Sequence, residues 1–182
     1  MTPELVFLTP SDAPEASAFV RPIWVDTYAG IIYGGRERAE LIFDDCVGPE
    51  KILRDMDDGH FFAYITDRGA RVGLVSAGVH GRDLVVSKIY ILPGSRRQGY
   101  GGYALRYMLE YGREKGCTRA VLEANPRNVP ALRFYRKHGF DVIGTHDYEC
   151  GPVYIMAAII GYRFKIVHMS KTKELIDFEN KN

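Results

Sequence analysis

The stretch PGSRRQGYGGYALRYML, residues 93–109, carries four glycines and the adjacent pair Arg96 and Arg97 around the start of a helical apolar pattern. One stripe of the pattern is small or apolar and consists of Gly101, Ala104, Leu105, Met108, Leu109 and Gly112. A stripe with this spacing is typical of an amphipathic helix. The stretch therefore predicts a loop that runs directly into a helix over about residues 101–115.

The first turn of such a helix offers main-chain amides that have no partner inside the helix. These donors and the positive end of the helix dipole favour an anion, and glycines let the backbone approach it closely. A pyrophosphate is therefore the expected ligand. The simpler alternative is a flexible turn, which glycines also permit. The loop lacks the Gly-Lys-Ser/Thr ending of a Walker loop, and the strands before it are unlike the start of a Rossmann fold.

The segments around the loop predict an α+β fold. Residues 60–66, 70–79 and 84–92 are rich in aromatic and β-branched residues and are separated by turn signals, so they predict an antiparallel meander. After the meander come a helix over about 101–115, a strand over 119–124 and a helix over about 129–138, and the order strand, helix, strand implies a parallel crossover. The expected fold class is thus α+β, with a mixed, mostly antiparallel central sheet and flanking helices.

The remaining elements are predicted with looser boundaries. A short strand covers residues 4–8, and Ser11 or Asp12 caps a helix that runs to about Tyr28. One or two helices cover residues 36–57, with a break near Gly48, and two further strands lie around Asp141 and Val153. Residues 1–160 are expected to form a single domain, and the tail 161–182 to form a short helix or to stay mobile.

Composition narrows the class of protein. The chain has 182 residues, 46% of them hydrophobic, with a net charge of +1, so neither a nucleic-acid nor a membrane partner is expected. Three widely spaced cysteines without a CxxC pair predict neither a disulfide framework nor a metal site. The first residues lack the features of a signal peptide, which favours a cytoplasmic protein, and a homodimer is compatible with the sequence.

The loop also carries a recognisable motif. Arg96, Gly99 and Gly101 match the Arg/Gln-x-x-Gly-x-Gly/Ala signature, and the chain resembles the GNAT superfamily of N-acetyltransferases over residues 5–160 in element order. The resemblance implies that acetyl-coenzyme A is the acetyl donor and that its pantetheine arm pairs with the backbone of Ile89, Tyr90 and Ile91. It also implies that its pyrophosphate is bound by the amides of Arg96, Arg97, Gln98, Gly99, Tyr100, Gly101 and Gly102.

A second motif follows in NVPALRFYRKHGF, residues 128–140. Asn128 can cap a helix that tolerates Pro130 in its first turn and ends before Gly139. The segment is similar to the family pattern Asn-x-x-Ala-x-x-Phe-Tyr-x-x-x-Gly-Phe, which implies that Asn128 contacts the cofactor arm and that Tyr135 lies near the thioester sulfur. Two helical turns separate these residues, so they share a face about 10 Å apart. The alternative is that Asn128 is only a cap and Tyr135 only a core residue.

Acetyl transfer to an amine needs a base, because an alkyl ammonium is mostly protonated at neutral pH. Glu123 is the candidate, at the end of a strand that is expected to be covered on both faces. Its spacing before Asn128 resembles that of the catalytic glutamate of ribosomal-protein alanine acetyltransferases. A water chain, or a merely structural pairing of Glu123 with Arg119 or Arg133, remains as the alternative. A strand amide near Ile91 is the family-like donor to the developing oxyanion.

Tyr135 is the candidate acid, because a phenol stays protonated at neutral pH. Full proton transfer to a thiolate would be uphill by roughly 2 kcal/mol. The sequence therefore leaves two ways for Tyr135 to help, which are a hydrogen bond to the sulfur or a lowered phenol pKa.

The acceptor is the least determined part. Trp24, Tyr28 and Tyr33 lie in the segment that walls the acceptor site in the family, and nearby carboxylates such as Asp26 and Asp44 could hold a cationic amine. These residues also fit an ordinary amphipathic helix. The resemblance implies direct acetyl transfer to a primary amine, either a small polyamine-like amine or a protein N-terminus. The alternatives are a non-catalytic coenzyme A-binding sensor domain and an interaction module without cofactor.

Overall fold

The computed structural model describes residues 3–148 and 151–160, and within them seven strands and five helices form. The strands are β1 (Glu4–Phe7), β2 (Phe61–Asp67), β3 (Ala70–His80), β4 (Asp83–Ile91), β5 (Arg119–Ala124), β6 (Asp141–Tyr148) and β7 (Gly151–Ile159). The helices are α1 (Ala13–Tyr28), α2 (Gly35–Val47), α3 (Pro49–Asp57), α4 (Tyr100–Glu114) and α5 (Val129–Lys137). The predicted tail, residues 161–182, and Cys150 lie outside the described residues.

The strands form one sheet in the order β1-β2-β3-β4-β5-β7-β6. Every neighbouring pair is antiparallel except β4 and β5, which are parallel because α4 carries the chain across between them. The predicted mixed, mostly antiparallel sheet and its crossover are therefore confirmed.

The parallel pair is short. β4 and β5 pair only at Asp83 with Arg119, Leu84 with Ala120 and Val85 with Val121, although β4 continues to Ile91 and β5 to Ala124. The two strands diverge beyond this point. We call the opening between the ends of the two strands the β4–β5 gap.

Each face of the sheet has its own core. Helices α4 and α5 cover one face, where Leu105, Met108 and Leu132 pack on buried strand residues. Helices α1, α2 and α3 cover the other face, where Trp24, Phe43, Ile52, Phe62, Tyr64 and Leu74 are buried together. The gap thus opens between two helical layers.

A bulge in β4 decides which side chains reach each face. Ser76 and Ala77 of β3 pair with Lys88 and Val86, so Ser87 is an extra residue in β4. Its hydroxyl lies 2.8 Å from Nδ1 of His60. Leu84 and Val86 face α4 before the bulge, and Ile89 and Ile91 face α4 after it. Without the extra residue, alternation would turn Lys88 and Tyr90 to that side instead.

Local details of α1 differ from the prediction. Asp12 occupies the position before the helix but does not cap it. Its carboxylate instead accepts hydrogen bonds from the Thr9 amide, at 2.7 Å, and the Thr9 hydroxyl, because Pro10–Asp12 forms a short 3-10 turn. The predicted break near Gly48 is confirmed, since α2 ends before it and α3 begins after it.

Gly73 of β3 tests how tightly the end of β4 is held. A Cβ at Gly73 would lie 2.5 Å from the carbonyl oxygen of Tyr90 and 2.8 Å from Cδ1 of Ile91. We expect Gly73→Ala to lower the free energy of unfolding by about 1–3 kcal/mol, as overpacked sites do. Urea denaturation measures the change. Gly30→Ala is the control, because a Cβ there meets nothing within 4 Å, and equal stability of the two variants would contradict the prediction.

Candidate active site

The loop before α4 presents a row of uncommitted main-chain amides. Arg97 and Gly99 have left-handed φ angles of 63° and 92°, and α4 begins immediately afterwards at Tyr100. None of the amides of residues 97–102 donates a hydrogen bond to another described residue. Alternating backbone of this kind at a helix N-terminus forms a concave set of donors. The loop therefore fits an anion such as a diphosphate.

Side chains of the loop anchor it to the fold. The Arg96 guanidinium donates to the Ile91 carbonyl and the Thr27 hydroxyl, each at 3.3 Å. Gln98 donates to the Gly94 carbonyl at 2.8 Å, and the Tyr100 hydroxyl donates to Asp67 at 2.8 Å. These side chains are used for support, which leaves the main chain as the surface for a ligand.

Gly101 and Gly102 have a packing role that the sequence prediction did not include. A Cβ on Gly101 would touch the ring of Phe134 at 3.5 Å, and one on Gly102 would lie 3.3 Å from Nε2 of His138. Both positions face α5. Only Gly102 lies in a tight approach of α4 to α5, since a Cβ on Gly101 would make ordinary van der Waals contact.

Asn128 caps α5 as predicted, since its Oδ1 accepts a hydrogen bond of 3.3 Å from the Ala131 amide. Two turns later, Tyr135 is partly buried and packs its ring 5.3 Å from Phe134 and 5.8 Å from Phe140. The α5 helix thus presents both predicted residues, one at its start and one near its end.

Three phenols, on α1, β4 and α5, lie close enough to affect one another's ionisation. Burial raises the pKa of Tyr135 well above its ordinary value, and the nearby Tyr28 phenol adds to the rise. Burial also raises the pKa of Tyr90, with Tyr28, Cys46 and Tyr135 contributing and a hydrogen bond with Trp24 opposing. Tyr28 of α1, Tyr90 of β4 and Tyr135 of α5 therefore lie near one another, and we call them the phenol cluster.

The raised pKa of Tyr135 corrects one expectation. A lowered phenol pKa was one of the two ways in which Tyr135 could assist a thiolate, and that alternative is wrong. Loss of hydration disfavours the charged phenolate, so the hydroxyl stays protonated. A hydrogen bond donated by the intact phenol is the remaining alternative.

The structure keeps two of the predicted acceptor residues, Trp24 and Tyr28, together and places the third, Tyr33, apart from them. Trp24 is 4% exposed, and its ring lies 4.6 Å from that of Tyr28, which it supports from the core. Tyr33 is 79% exposed, with the Arg127 guanidinium 5.7 Å from its ring centre. Of the three aromatic residues, Tyr28 is the one that joins the phenol cluster.

The two carboxylates that were considered as binding groups for a cationic amine form salt bridges with arginines instead. Asp26 pairs with Arg36, and Asp44 pairs with Arg21 at 2.7 Å. These side chains are all more than two-fifths exposed. The two carboxylates therefore link α1 to its neighbours at the surface.

Glu123 is exposed, so the expectation that both faces of its strand would cover it is wrong. The reason is that β4 stops pairing with β5 at Val121, which opens the gap beside Glu123. Its neighbours Leu122 and Ala124 belong to the core under α4 and α5, so Glu123 points to the other face by alternation. Arg119, one of its suggested partners, forms a bidentate pair with Asp83 at 2.7 and 3.0 Å.

Sequence reasoning missed a buried ion pair close to Glu123. Nζ of Lys88 lies 3.8 Å from Oδ2 of Asp55, and the two side chains are only 13% and 11% exposed. A lysine inside the apolar strand LVVSKIYI was the available signal, and the partner on α3 could not be read from it.

The residues that the structure describes form neither a membrane-spanning helix nor a metal-binding cluster. No helix among them is long and apolar enough to cross a membrane. In the same part of the chain, no three His, Cys, Asp or Glu side chains are grouped so that they could hold a metal ion.

Comparisons with known proteins agree with the geometry. A sequence model of the Acetyltransferase (GNAT) family matches residues 22–140. An uncharacterised N-acetyltransferase of Mycobacterium bovis is 30% identical over 122 residues, which cover 58% of this chain and 77% of the relative. The streptothricin acetyltransferase of Streptomyces lavendulae is 32% identical over 91 residues, 50% of this chain and 48% of its own.

Among solved structures, the PaiA N-acetyltransferase of Thermoplasma acidophilum in complex with coenzyme A has a TM-score of 0.72 at 21% identity. The match covers 87% of this chain and 99% of the other, so the fold is shared along nearly its whole length. The chain belongs to the Acetyltransferase (GNAT) family and is an N-acetyltransferase that uses acetyl-coenzyme A as its acetyl donor.

Proposed function

We propose that this enzyme transfers the acetyl group directly to the primary amine of a small polyamine-like molecule, through a ternary complex and without an acetylated enzyme. The observation that supports the proposal is the phenol cluster, in which Tyr90 lies on β4 beyond its pairing with β5 and Tyr135 lies on α5. Aromatic faces attract an alkyl ammonium, and Tyr28, Tyr90 and Tyr135 offer several.

A small acceptor is favoured over a protein N-terminus by the loops around the site. The contact between Tyr33 and Arg127 joins the α1–α2 loop to the β5–α5 loop, at 5.7 Å. Helices α1, α2 and α3 cover the same face of the sheet. A protein N-terminus is therefore the rival acceptor and not the first proposal.

The donor would be held along two backbone surfaces. The free amides of residues 97–102 bind the diphosphate, with Asn128 at the start of α5 contacting the arm of the cofactor. Leu92 donates to the Val72 carbonyl of β3, so by alternation the main-chain groups of Ile89 and Ile91 face the gap, while those of Tyr90 face β3. The Ile91 amide is thus available to the oxygen of the reacting carbonyl.

Proton movements are assigned to the two remaining residues. Glu123 takes a proton from the acceptor ammonium through a water molecule, since its carboxylate is exposed at the gap. Tyr135 donates a hydrogen bond to the departing sulfur, which its raised pKa permits over the whole neutral range. Bound acetyl-coenzyme A supplies the activated thioester.

An acceptor panel tests the reaction. Acetyl-coenzyme A is mixed with spermidine, with streptothricin, for which one relative is named, or with a short peptide that has a free N-terminus. We expect thiol release and an acetyl mass gain with spermidine at a higher kcat/KM than with the peptide. If the peptide is acetylated and spermidine is not, the acceptor is a protein N-terminus. If no thiol is released with any of the three compounds, the proposed acceptor class is contradicted.

Gly99 tests the diphosphate site. Its φ of 92° suits glycine, whereas an added Cβ meets nothing within 4 Å, so the effect of Gly99→Ala comes from backbone conformation. A left-handed alanine costs about 1–2 kcal/mol, so we expect the Kd of coenzyme A in calorimetry to rise roughly fivefold to thirtyfold. Gly94→Ala is the matched control, with open space and no positive φ. Unchanged affinity in Gly99→Ala would remove this loop conformation from donor binding.

Tyr135→Phe tests the proposed hydrogen bond. The variant keeps the ring that packs on Phe134 and Phe140 and removes only the hydroxyl. We expect kcat to fall at least about tenfold, with little change in the Kd of acetyl-coenzyme A, because the bond to sulfur strengthens as negative charge develops. Unaltered kcat at saturating substrates would exclude Tyr135 from the mechanism.

The same pair of proteins gives a pH prediction. Because its pKa is raised, the Tyr135 hydroxyl keeps its proton to higher pH than an ordinary phenol. The ratio of kcat between the wild type and Tyr135→Phe should therefore stay constant from about pH 7 to about pH 10. A ratio that falls toward one between pH 8 and pH 9 would mean that the phenol loses its proton in the range of an activated tyrosine.

A further inference from the structure

Four charged side chains on the α1–α3 side of the sheet alternate in sign. Lys51 and Asp55 lie one turn apart on α3, and they contact each other directly. Lys88 of β4 lies 3.8 Å from the same aspartate, and Glu123 of β5 is an electrostatic neighbour of Lys88. The row runs from the surface of α3 to the β4–β5 gap.

The ion pair between Lys88 and Asp55 is not explained by a contribution to the stability of the fold. The side chains of Lys88 and Asp55 are nearly buried, yet their closest polar atoms are 3.8 Å apart, beyond hydrogen-bond distance. Oδ2 of Asp55 finds no hydrogen-bond partner among the described residues. Burying two charges without good hydrogen bonds costs more than their attraction returns, and an apolar pair would often serve the fold as well.

Asp55 alone does not give Lys88 a complete counter-charge. Asp55 has one negative charge and two lysine neighbours, Lys51 on Oδ1 and Lys88 on the side of Oδ2. One carboxylate cannot neutralise both ammonium groups. Glu123 is the second acidic residue in the environment of Lys88, where it favours the charged ammonium.

The strand register brings Lys88 and Glu123 to the same side. Val85 of β4 and Val121 of β5 are paired neighbours, and strands of a sheet lie about 4.8 Å apart. Glu123 is the next residue of β5 on that face. In β4 the next such residue is Lys88, because the extra residue Ser87 is absorbed by the bulge. The two side chains therefore flank the start of the gap.

We propose that Lys88, anchored on Asp55, is a positioning residue that holds the Glu123 carboxylate as its counter-charge at the acceptor side of the gap. The inference rests on the proposed role of Glu123 as the base. Lys88 itself takes no part in bond making. It fixes where the carboxylate lies when an ammonium arrives, and it prevents Glu123 from turning away to solvent.

The surroundings of Lys88 act on its charge in both directions. Burial lowers the pKa of Lys88, and Lys51 acts in the same direction, while Asp55, Cys46 and Glu123 oppose the shift. The acidic neighbours come from α3 and β5, and the thiol comes from α2. Two carboxylates on opposite sides thus support the ammonium in a nearly buried position.

A double-mutant cycle in the full chain tests the proposal, with Lys88→Met, Glu123→Gln and the combined variant. The measurements are kcat and KM for the preferred amine among spermidine, streptothricin and the peptide, with the Kd of acetyl-coenzyme A. We expect each single change to lower kcat at least about tenfold while KM and Kd stay within about twofold. The combined variant should be no slower than the slower single variant by more than about twofold, because both changes disable one unit.

Lys51→Met is the matched control. It removes a lysine from the same aspartate, on the outer side where Lys51 is 32% exposed, and should leave kcat within about twofold. Asp55→Asn is the second variant, used if Lys88→Met lacks a cooperative thermal transition. It removes the anchor of Lys88, so it should lower kcat and also fail to add to Glu123→Gln.

The outcomes separate the two hypotheses. Losses that multiply in the combined variant, or full kcat in a folded Lys88→Met, would overturn the positioning role while leaving Glu123 as the base. Full kcat in Glu123→Gln would overturn the base assignment, and with it the role of Lys88. A loss in Lys51→Met equal to that in Lys88→Met would also overturn the proposal, since any disturbance of Asp55 would then suffice.

Discussion

Three residue pairs hold β4 to β5, and the candidate active site depends on the point where this pairing stops. Main-chain groups that lose a partner inside a protein are costly unless something else satisfies them. The Ile91 carbonyl is satisfied by Arg96, and the other main-chain groups of Ile89 and Ile91 that face the gap need a ligand or water. Helices cover the sheet on both sides of this opening, and we propose that the donor binds near α4 and α5 and the acceptor near α1.

The bulge at Ser87 adapts β4 to this opening. A regular strand would put its apolar and polar side chains on fixed faces from end to end. One extra residue exchanges the faces, so that Ile89 and Ile91 continue the core under α4, while Lys88 and Tyr90 meet the helices on the other side. Ser87 itself is held by His60, which fixes the position of the exchange.

Much of this arrangement could be predicted from the sequence, because its signals are local. The meander, the glycine loop with its helix, and the second motif rely on periodicity, turns and caps, and these agree with the structure. The bulge also left a trace, since the apolar residues Val86 and Ile89 are three apart where a regular strand would give two.

The order β5-β7-β6 and the exposure of Glu123 could not be predicted. Both depend on which strands meet in space and where their pairing ends, and no periodic pattern records that. The same reason hid the contact between Lys88 and Asp55, whose partners lie on different elements. Ionic partners of Asp26 and Asp44 were missed for the opposite reason, because exposed carboxylates offer no pattern of burial from which a partner can be inferred.

The phenol cluster has a consequence for the charge state of the incoming substrate. Burial raises the pKa of Tyr90 and of Tyr135, so these two hydroxyls stay uncharged, and all three side chains are partly shielded from solvent. An ammonium that enters such surroundings gives up hydration that neutral phenols replace only in part, and this loss favours the free amine. In the proposed reaction, dehydration on entry would thus move the acceptor toward its nucleophilic form and assist the proposed base.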